Sequence, residues 1–268
     1  MVTAVGDYTD CQGAAACAAH NAAKVRDLVD AQNPDVHLGI GDFQYQNMAT
    51  IEAGFDLLYP KGTALWNRIR PTAGPTHDVS SCTDQAYQSY WGRDPMRMYS
   101  FDVGAWHIVS LPSAAVRYDC DVAAVTAALR ADLAANRKRC TLAFWQDAYF
   151  TRDTATHEPE EGVKPWVDAL YAANADLVVQ ASNHNYQRFA EQDPDRAAAP
   201  RRGIRALVVG TGGIGLYAFT SSAANVEASD DTTWGVLRLD LSDDGTYAGR
   251  FIPAAGGMFT DAFSGRCH

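Results

Sequence analysis

The sequence lacks any long apolar stretch. No uninterrupted run of about 18 apolar residues occurs, so no segment is predicted to span a bilayer. Basic character is also lacking, because 22 Lys and Arg stand against 32 Asp and Glu, and a net charge of −10 repels polyanions at long range. We therefore expect no membrane partner and no nucleic-acid partner. Nothing in the sequence specifies an oligomeric state.

The six cysteines contain no CxxC pair, and the histidines are too few and scattered for a zinc knuckle. An even number of such cysteines favours disulfides and a secreted or extracytoplasmic protein. The alternative is six buried, reduced thiols in a cytosolic enzyme. The first residues enter a β-like run without the pattern of a signal peptide. We expect an exported protein whose signal peptide lies outside this sequence.

The composition is that of a globular protein, with 47% apolar and 20% charged residues. A chain of 268 residues fits one large α/β domain, and residues 1–268 are predicted to form a single domain. No internal repeat or low-complexity segment is present.

Short apolar runs alternate with helix-like stretches, which favours an α/β sandwich. The tail around Asp243, Asp244 and Gly245 is predicted to be a hairpin of residues 234–241 and 247–252. The predicted buried strands are residues 3–5, 36–40, 106–111, 141–145, 177–179 and 206–209. The predicted helices are residues 14–31, 122–136 and 165–173.

Several of these strands end directly in polar residues. Asp7 and Asp42 follow the first two strands, and Gln146 with Asp147 and the run from Ser182 to His184 follow later ones. Side chains from the carboxyl ends of separate strands converge in α/β active sites. The sequence therefore predicts a site at this edge.

The order of these blocks resembles the calcineurin-like metallophosphoesterases, whose motifs read GD, GDxxY, GNH[DE] and GHxH. The matching segments are residues 6–7, 41–45, 74–78 and 182–186. Residues 101–111, 129–133 and 208–213 and the Cys267-His268 ending also resemble bacterial purple acid phosphatase-like proteins. The resemblance implies a four-layer α/β/β/α sandwich of mixed β sheets flanked by helices.

In that family two metal ions, bridged by one Asp, polarise the substrate and activate a water. Four residues match the ligands of the first site: Asp7, the bridging Asp42, Tyr45 and His184. The resemblance thus implies one transition metal ion as the cofactor. Carboxylate and phenolate oxygens favour Fe(III), with Zn or Mn as alternatives.

The second metal site is predicted to be degenerate. Thr76, Gln146 and Ser182 stand where the family has one Asn and two His, and the segment carrying Thr76 has one inserted residue. Three neutral oxygens cannot replace two imidazoles and an amide in a tight transition-metal site.

The resemblance also implies three catalytic candidates, His77, Asp147 and His157, which are suited to carrying protons. Phe43 stands where the family has a small polar residue and is expected to make the pocket apolar. His107, inside a strand, is interpreted as structural. The glutamates Glu158, Glu160 and Glu161 are interpreted as a solvated loop that could line the pocket entrance.

Proximity and the resemblance together favour the pairs Cys11 with Cys17, Cys82 with Cys120, and Cys140 with Cys267.

Three functions stay open. The first is a metal-dependent hydrolase, lyase or cyclase that uses one ion as a Lewis acid on a small organic or phosphorylated metabolite. The second is a conventional phosphoesterase that hydrolyses phosphate esters at a rebuilt dinuclear site. The third is a non-catalytic descendant that binds a ligand.

Overall fold

Two β-sheets occupy the centre of the structure, a computed structural model that describes residues 1–46 and 48–268. The strands are β1 (Val2–Val5), β2 (Val36–Gly39), β3 (Ile69–Pro71), β4 (Tyr99–Val103), β5 (Trp106–Ser110), β6 (Cys140–Asp147), β7 (Leu177–Ala181), β8 (Tyr186–Phe189), β9 (Arg205–Val209), β10 (Val226–Asp230), β11 (Gly235–Leu241), β12 (Thr246–Pro253) and β13 (Asp261–Arg266). All six strands predicted from the sequence are among them.

Both sheets are mixed. The first has the order β13-β12-β11-β1-β2-β3, in which β1, β2 and β3 are parallel and β11 runs antiparallel to β1. The second has the order β10-β8-β9-β7-β6-β5-β4, with β5, β6, β7 and β9 parallel. The predicted hairpin is confirmed as β11 and β12, and β13 extends it.

Helices cover the outer faces of this pair of sheets. They are α1 (Ala14–Ala19), α2 (Asn21–Gln32), α3 (Phe55–Leu58), α4 (Ala64–Arg68), α5 (Gln85–Trp91), α6 (Ala114–Arg117), α7 (Val122–Ala135) and α8 (Lys164–Ala172), with 3-10 turns at Met48–Ala53 and Glu161–Val163. The sandwich of mixed sheets flanked by helices confirms the predicted fold class.

The helix predicted over residues 14–31 is in fact two. His20 has extended backbone angles, φ −77° and ψ 151°, which end α1. Its Nδ1 accepts a hydrogen bond from the Ala22 N–H at 3.2 Å, so it caps α2. Its Nε2 lies 3.0 Å from the carboxylate of Asp10. A side chain that caps a helix start cannot also lie inside a continuous helix.

Alternate residues of β6 face different layers, as the two-residue period of a strand requires. Leu142 and Phe144 pack in the core between the sheets. Ala143 and Trp145 face the core beneath α7 and α8, where Trp145 meets Trp166 edge to face. Side chains of this one buried strand therefore pack in both the core between the sheets and the core beneath α7 and α8.

The three predicted disulfides are confirmed: Cys11 with Cys17, Cys82 with Cys120, and Cys140 with Cys267. Such bonds persist in oxidising compartments, which indicates an extracytoplasmic protein. Among the described residues, no helix is both long and apolar enough to cross a bilayer.

The His107 ring on β5 lies between two carboxylates. Its Nδ1 is 2.9 Å from Asp102 and its Nε2 is 2.7 Å from Asp132, which also accepts the Ser100 hydroxyl. Burial acts to lower the pKa of His107, but the hydrogen bonds and charges of Asp132 and Asp102 outweigh it and raise that pKa above its ordinary value. The structural interpretation of His107 is consistent with this position.

We predict that His107→Gln destabilises the protein more at pH 6, below the ordinary histidine pKa of about 6.5, than at pH 9, about 2.5 units above it. Because the pKa of His107 is higher in the folded than in the unfolded protein, the protonated ring stabilises the fold. This stabilisation is fully present below the pKa of the unfolded state and is lost as the pH rises through the pKa of the folded state. Chemical denaturation at both pH values measures the difference. Asp102→Asn should reduce this pH dependence, and an equal effect of His107→Gln at both pH values would contradict the assignment.

Candidate metal centre

Four site positions, in the segments that follow β1, β2, β3 and β7, have left-handed backbone angles. The φ values are 62° for Asp7, 52° for Asp42, 73° for Thr76 and 67° for Ser182. Non-glycine residues adopt this region rarely and at a cost of order 1–3 kcal/mol each. Such strain concentrates at functional sites, and here it turns each chain segment sharply at the same edge.

The carboxylate of Asp7, the hydroxyl of Tyr45 and the imidazole of His184 meet at one point. The Tyr45 hydroxyl lies 2.8 Å from Asp7 Oδ1 and 2.6 Å from His184 Nε2, and those two atoms are 3.6 Å apart. Asp7 and His184 are buried. The structure therefore brings together three of the four predicted ligands at contact distance.

This cluster has too few protons for its contacts. His184 Nδ1 lies 2.7 Å from the carbonyl of Gly215 and must donate to it, so Nε2 of the neutral ring is an acceptor. The single Tyr45 proton can satisfy either His184 or Asp7, not both, and the one further donor at Asp7 Oδ1 is the Gln146 amide. Three electron-pair donors thus converge, and a single proton is shared among their mutual contacts. Such a donor set is suited to binding a cation.

Asp42, the fourth predicted ligand, lines the same cavity. It is buried, and its Oδ1 has no hydrogen-bond partner among the described residues. Burial, followed by the charges of Asp7, Asp78 and Asp147, raises the pKa of Asp42 well above its ordinary value. A bound cation would stabilise this unpaired, buried carboxylate oxygen.

Asp78 fixes the loop that carries Asp42. Its Oδ2 accepts the backbone N–H groups of Asp42 and Gly74, both at 2.9 Å, and its Oδ1 accepts that of Phe43 at 3.0 Å. The Asp78 carboxylate thus joins the loops that follow β2 and β3.

The residues of the degenerate second site also line this cavity of about 160 Å³. Gln146 is buried and its Nε2 donates to Asp7 Oδ1 at 2.8 Å. The backbone N–H of Ser182 donates to Asp7 Oδ2 at 2.9 Å. Thr76 is exposed, and its N–H donates to the Tyr118 hydroxyl at 3.0 Å.

The three catalytic candidates line the cavity as well. His77 Nδ1 lies 2.8 Å from the Tyr45 carbonyl, to which it donates, so Nε2 is left for the cavity. His157 Nδ1 lies 2.8 Å from the Thr156 hydroxyl. Burial raises the pKa of Asp147 to about 7, assisted by the charge of Glu160.

Tyr217 is a site residue that the sequence analysis missed. Its ring stacks on His184 with centroids 3.8 Å apart and planes 13° apart, and it also stacks on His157 at 5.5 Å. Its N–H donates to the His184 carbonyl at 2.9 Å. The glycine-rich turn before it, Gly210–Gly215, gives no signal that this aromatic ring returns to the site.

Phe43 contradicts its prediction. It is fully buried and lies in an aromatic core, stacked on Tyr8 at 5.2 Å and packed against Phe55 and Trp91. Its side chain therefore does not make the pocket apolar. The chain bends at Asp42, so successive side chains point to opposite sides, and the Phe43 side chain points into the core.

Within residues 1–46 and 48–268, one group of His, Cys, Asp or Glu residues has three ligand atoms that all lie within 4.8 Å of one another: Cys140, Asp176 and Cys267. The two cysteines are bonded to each other, so this cluster is no metal site. Asp7, Asp42 and His184 do not form such a group, so the Asp42 carboxylate lies farther from Asp7 or from His184 than those two lie from each other.

No protein-family model and no curated protein matches the chain. Several solved structures, in contrast, are similar to the chain. A purple acid phosphatase, PPD1, from seeds of yellow lupin (Lupinus luteus) superposes with a TM-score of 0.72 at 14% identity, over 98% of this chain. The chain spans about half of the lupin enzyme, 53% of its length.

Two further structures are similar. GAP50, described as the anchor in the inner membrane complex of Plasmodium, gives a TM-score of 0.69 at 10% identity over 100% of this chain and 88% of its own. PhoD gives a TM-score of 0.63 at 10% identity, over 98% of this chain and 68% of its own. The chain therefore has the calcineurin-like metallophosphoesterase fold.

We predict that Asp78→Asn lowers the free energy of unfolding by about 3 kcal/mol, because buried backbone donors lose their acceptor and meet an amide N–H instead. The nearby, more exposed N-cap change Asp84→Asn is the control and should cost about 1 kcal/mol or less. Chemical denaturation measures both. Equal stability of the two variants would show that Asp78 does not hold the loops together.

Proposed function

We propose that this protein is a metal-dependent enzyme of the phosphoesterase type that works with one transition metal ion. The observation that supports it is the proton-deficient cluster of Asp7, Tyr45 and His184, beside the unpaired Oδ1 of Asp42. The donor set of two carboxylates, a phenol and an imidazole favours Fe(III), with Zn or Mn as alternatives. Its substrate is a small organic or phosphorylated metabolite.

Asp7, Tyr45 and His184 would hold the ion at the point where they converge, and Asp42, in the lining of the same cavity, would complete the ligand set. When bound, the ion supplies Lewis-acid polarisation of a substrate oxygen and lowers the pKa of a water. The chain's own residues supply the rest. His77 presents Nε2 to the cavity as a proton carrier, and Asp147, with a pKa of about 7, titrates near neutral pH.

The position of Gln146 supports a single ion. Its amide N–H₂ donates to Asp7 Oδ1, the oxygen that also faces Tyr45 and His184, so Gln146 presents a donor and not a ligand atom to this part of the site. Gln146 Oε1 and the Ser182 hydroxyl are the neutral oxygens left around Asp42 there. Neutral oxygens bind hard cations weakly and transition metals poorly.

A non-catalytic role is the second candidate, because GAP50, a protein described as an anchor, shares this fold. Measured turnover of any phosphate ester by the metal-loaded protein would exclude it.

We predict a metal content of about one ion per chain in protein made without a chelating tag, as expected for one closed ligand set. His184→Ala should lose that metal, whereas Gln146→Ala should keep it, since Gln146 only donates to Asp7. Elemental analysis measures both. If iron is bound, Tyr45→Phe should also remove a visible phenolate charge-transfer band. Two ions per chain, or a His184→Ala variant that keeps its metal, would overturn the proposal.

We also predict that rebuilding the second site raises phosphatase activity. The changes are Gln146→His, Ser182→His and Thr76→Asn, with Pro75 removed to restore the spacing. Two imidazoles and an amide would join Asp42 and complete a two-ion clamp. Chromogenic phosphate ester hydrolysis and metal content are measured together, with Gln146→Asn as the matched control. A rebuilt protein that binds two ions yet gains no activity would contradict this account.

A further inference from the structure

A second cavity of about 480 Å³ adjoins the candidate metal centre. Five residues line both spaces, so a molecule at the metal centre can extend into it without a barrier: Pro75, Thr76, Asp147, His157 and Ser182. Its other lining includes Glu158, Glu160, Thr154, Asn183 and one cation, Arg117.

The carboxylates of this cavity have no cationic partner. Asp147, Glu158 and Glu160 form no ion pair with any Lys or Arg in the described part of the chain. Arg117 is itself exposed and unpaired there. Three carboxylates against one solvated guanidinium leave the lining with an excess of negative charge, which repels an anionic group.

Glu160 is fixed beside Asp147 by the backbone. Its N–H donates to the Ala148 carbonyl at 2.9 Å, and its Oε1 accepts the Gly162 N–H at 2.9 Å. After burial, the charge of Glu160 is the largest influence that raises the pKa of Asp147, so the two carboxyl groups interact. The fold thus places these two carboxyl groups at the same cavity, with neither paired to a Lys or Arg in the described part of the chain.

Polar atoms at the same place lack partners. Asp147 Oδ2 is buried without a hydrogen-bond donor. Ser182 is 8% exposed and lines the cavity, and its hydroxyl has no partner among the described residues. A buried acceptor without a donor, such as Asp147 Oδ2, is uncommon in folded proteins, and a ligand that brings donors removes its cost.

We propose that the substrate carries an ammonium group that binds in this cavity between Asp147 and Glu160, while its reacting group lies at the metal centre. The inference rests on the proposed function. An ammonium brings three N–H donors and a positive charge, which carboxylates and a hydroxyl accept in short, charge-assisted hydrogen bonds. A simple dianionic ester would leave these acceptors unsatisfied. The substrate class is therefore an amino-alkyl ester or amide whose phosphoryl or acyl group meets the metal.

The test compares two ligands of the same size, aminopropylphosphonate and butylphosphonate, by calorimetry on the metal-loaded protein. They differ by an ammonium in place of a methyl group. We expect the ammonium compound to bind at least about tenfold more tightly, about 1.4 kcal/mol. Asp147→Asn and Glu160→Gln should each reduce that preference several-fold. Glu52→Gln, an exposed carboxylate outside both cavities, should leave it unchanged.

Metal content is measured on every sample, so the two proposals fail separately. Protein without metal contradicts the proposed function. Metal-loaded protein that binds both phosphonates equally, or binds neither, overturns the ammonium site alone. A preference that survives both Asp147→Asn and Glu160→Gln also overturns it. Magnesium or calcium that binds at millimolar concentration and competes with the ammonium compound would show a divalent-cation site instead, and would equally reject the proposal.

Discussion

The buried carboxylate of Asp7 is the interaction on which the site depends. It lies after β1 of the first sheet, yet it accepts hydrogen bonds from Gln146 and Ser182, which belong to strand ends of the second sheet. Tyr45, from the loop after β2, completes its contacts. Because a fully buried carboxylate must be surrounded by donors or cations, these partners hold the two sheets in register at the one edge where the site lies.

This constraint explains why the strained backbone is tolerated. Asp7 and Ser182 both have left-handed angles, and the Ser182 N–H reaches Asp7 only because the chain turns there. At Asp42 the same conformation is maintained by Asp78, which accepts the N–H groups on both sides of the bend. Strain at each turn is thus balanced by hydrogen bonds to a buried carboxylate.

The site is a concentration of negative charge with little positive charge from the chain. Burial dominates the raised pKa of Asp42 and of Asp147, and the charge of Asp7 contributes to both. We infer that two cations complete it, a metal ion at the converging ligands and an ammonium group in the adjoining cavity. Both proposals rest on negative charge that the chain does not compensate with positive charge. Different carboxylates supply that negative charge at the metal centre and in the adjoining cavity.

The sequence by itself indicated six of the strands and the terminal hairpin, because these depend on local apolar runs and turn residues. The cysteine pairs and the site motifs came from proximity and from a resemblance along the whole chain. It also identified Asp7, Tyr45 and His184, which follow strand ends. Only the tertiary structure decided the direction of side chains after a bend. Phe43 enters the core there, Gln146 donates to Asp7, and Tyr217 returns from a distant loop to stack on His184. Such contacts join residues far apart in sequence, and backbone geometry at the turns, which no local pattern encodes, sets them.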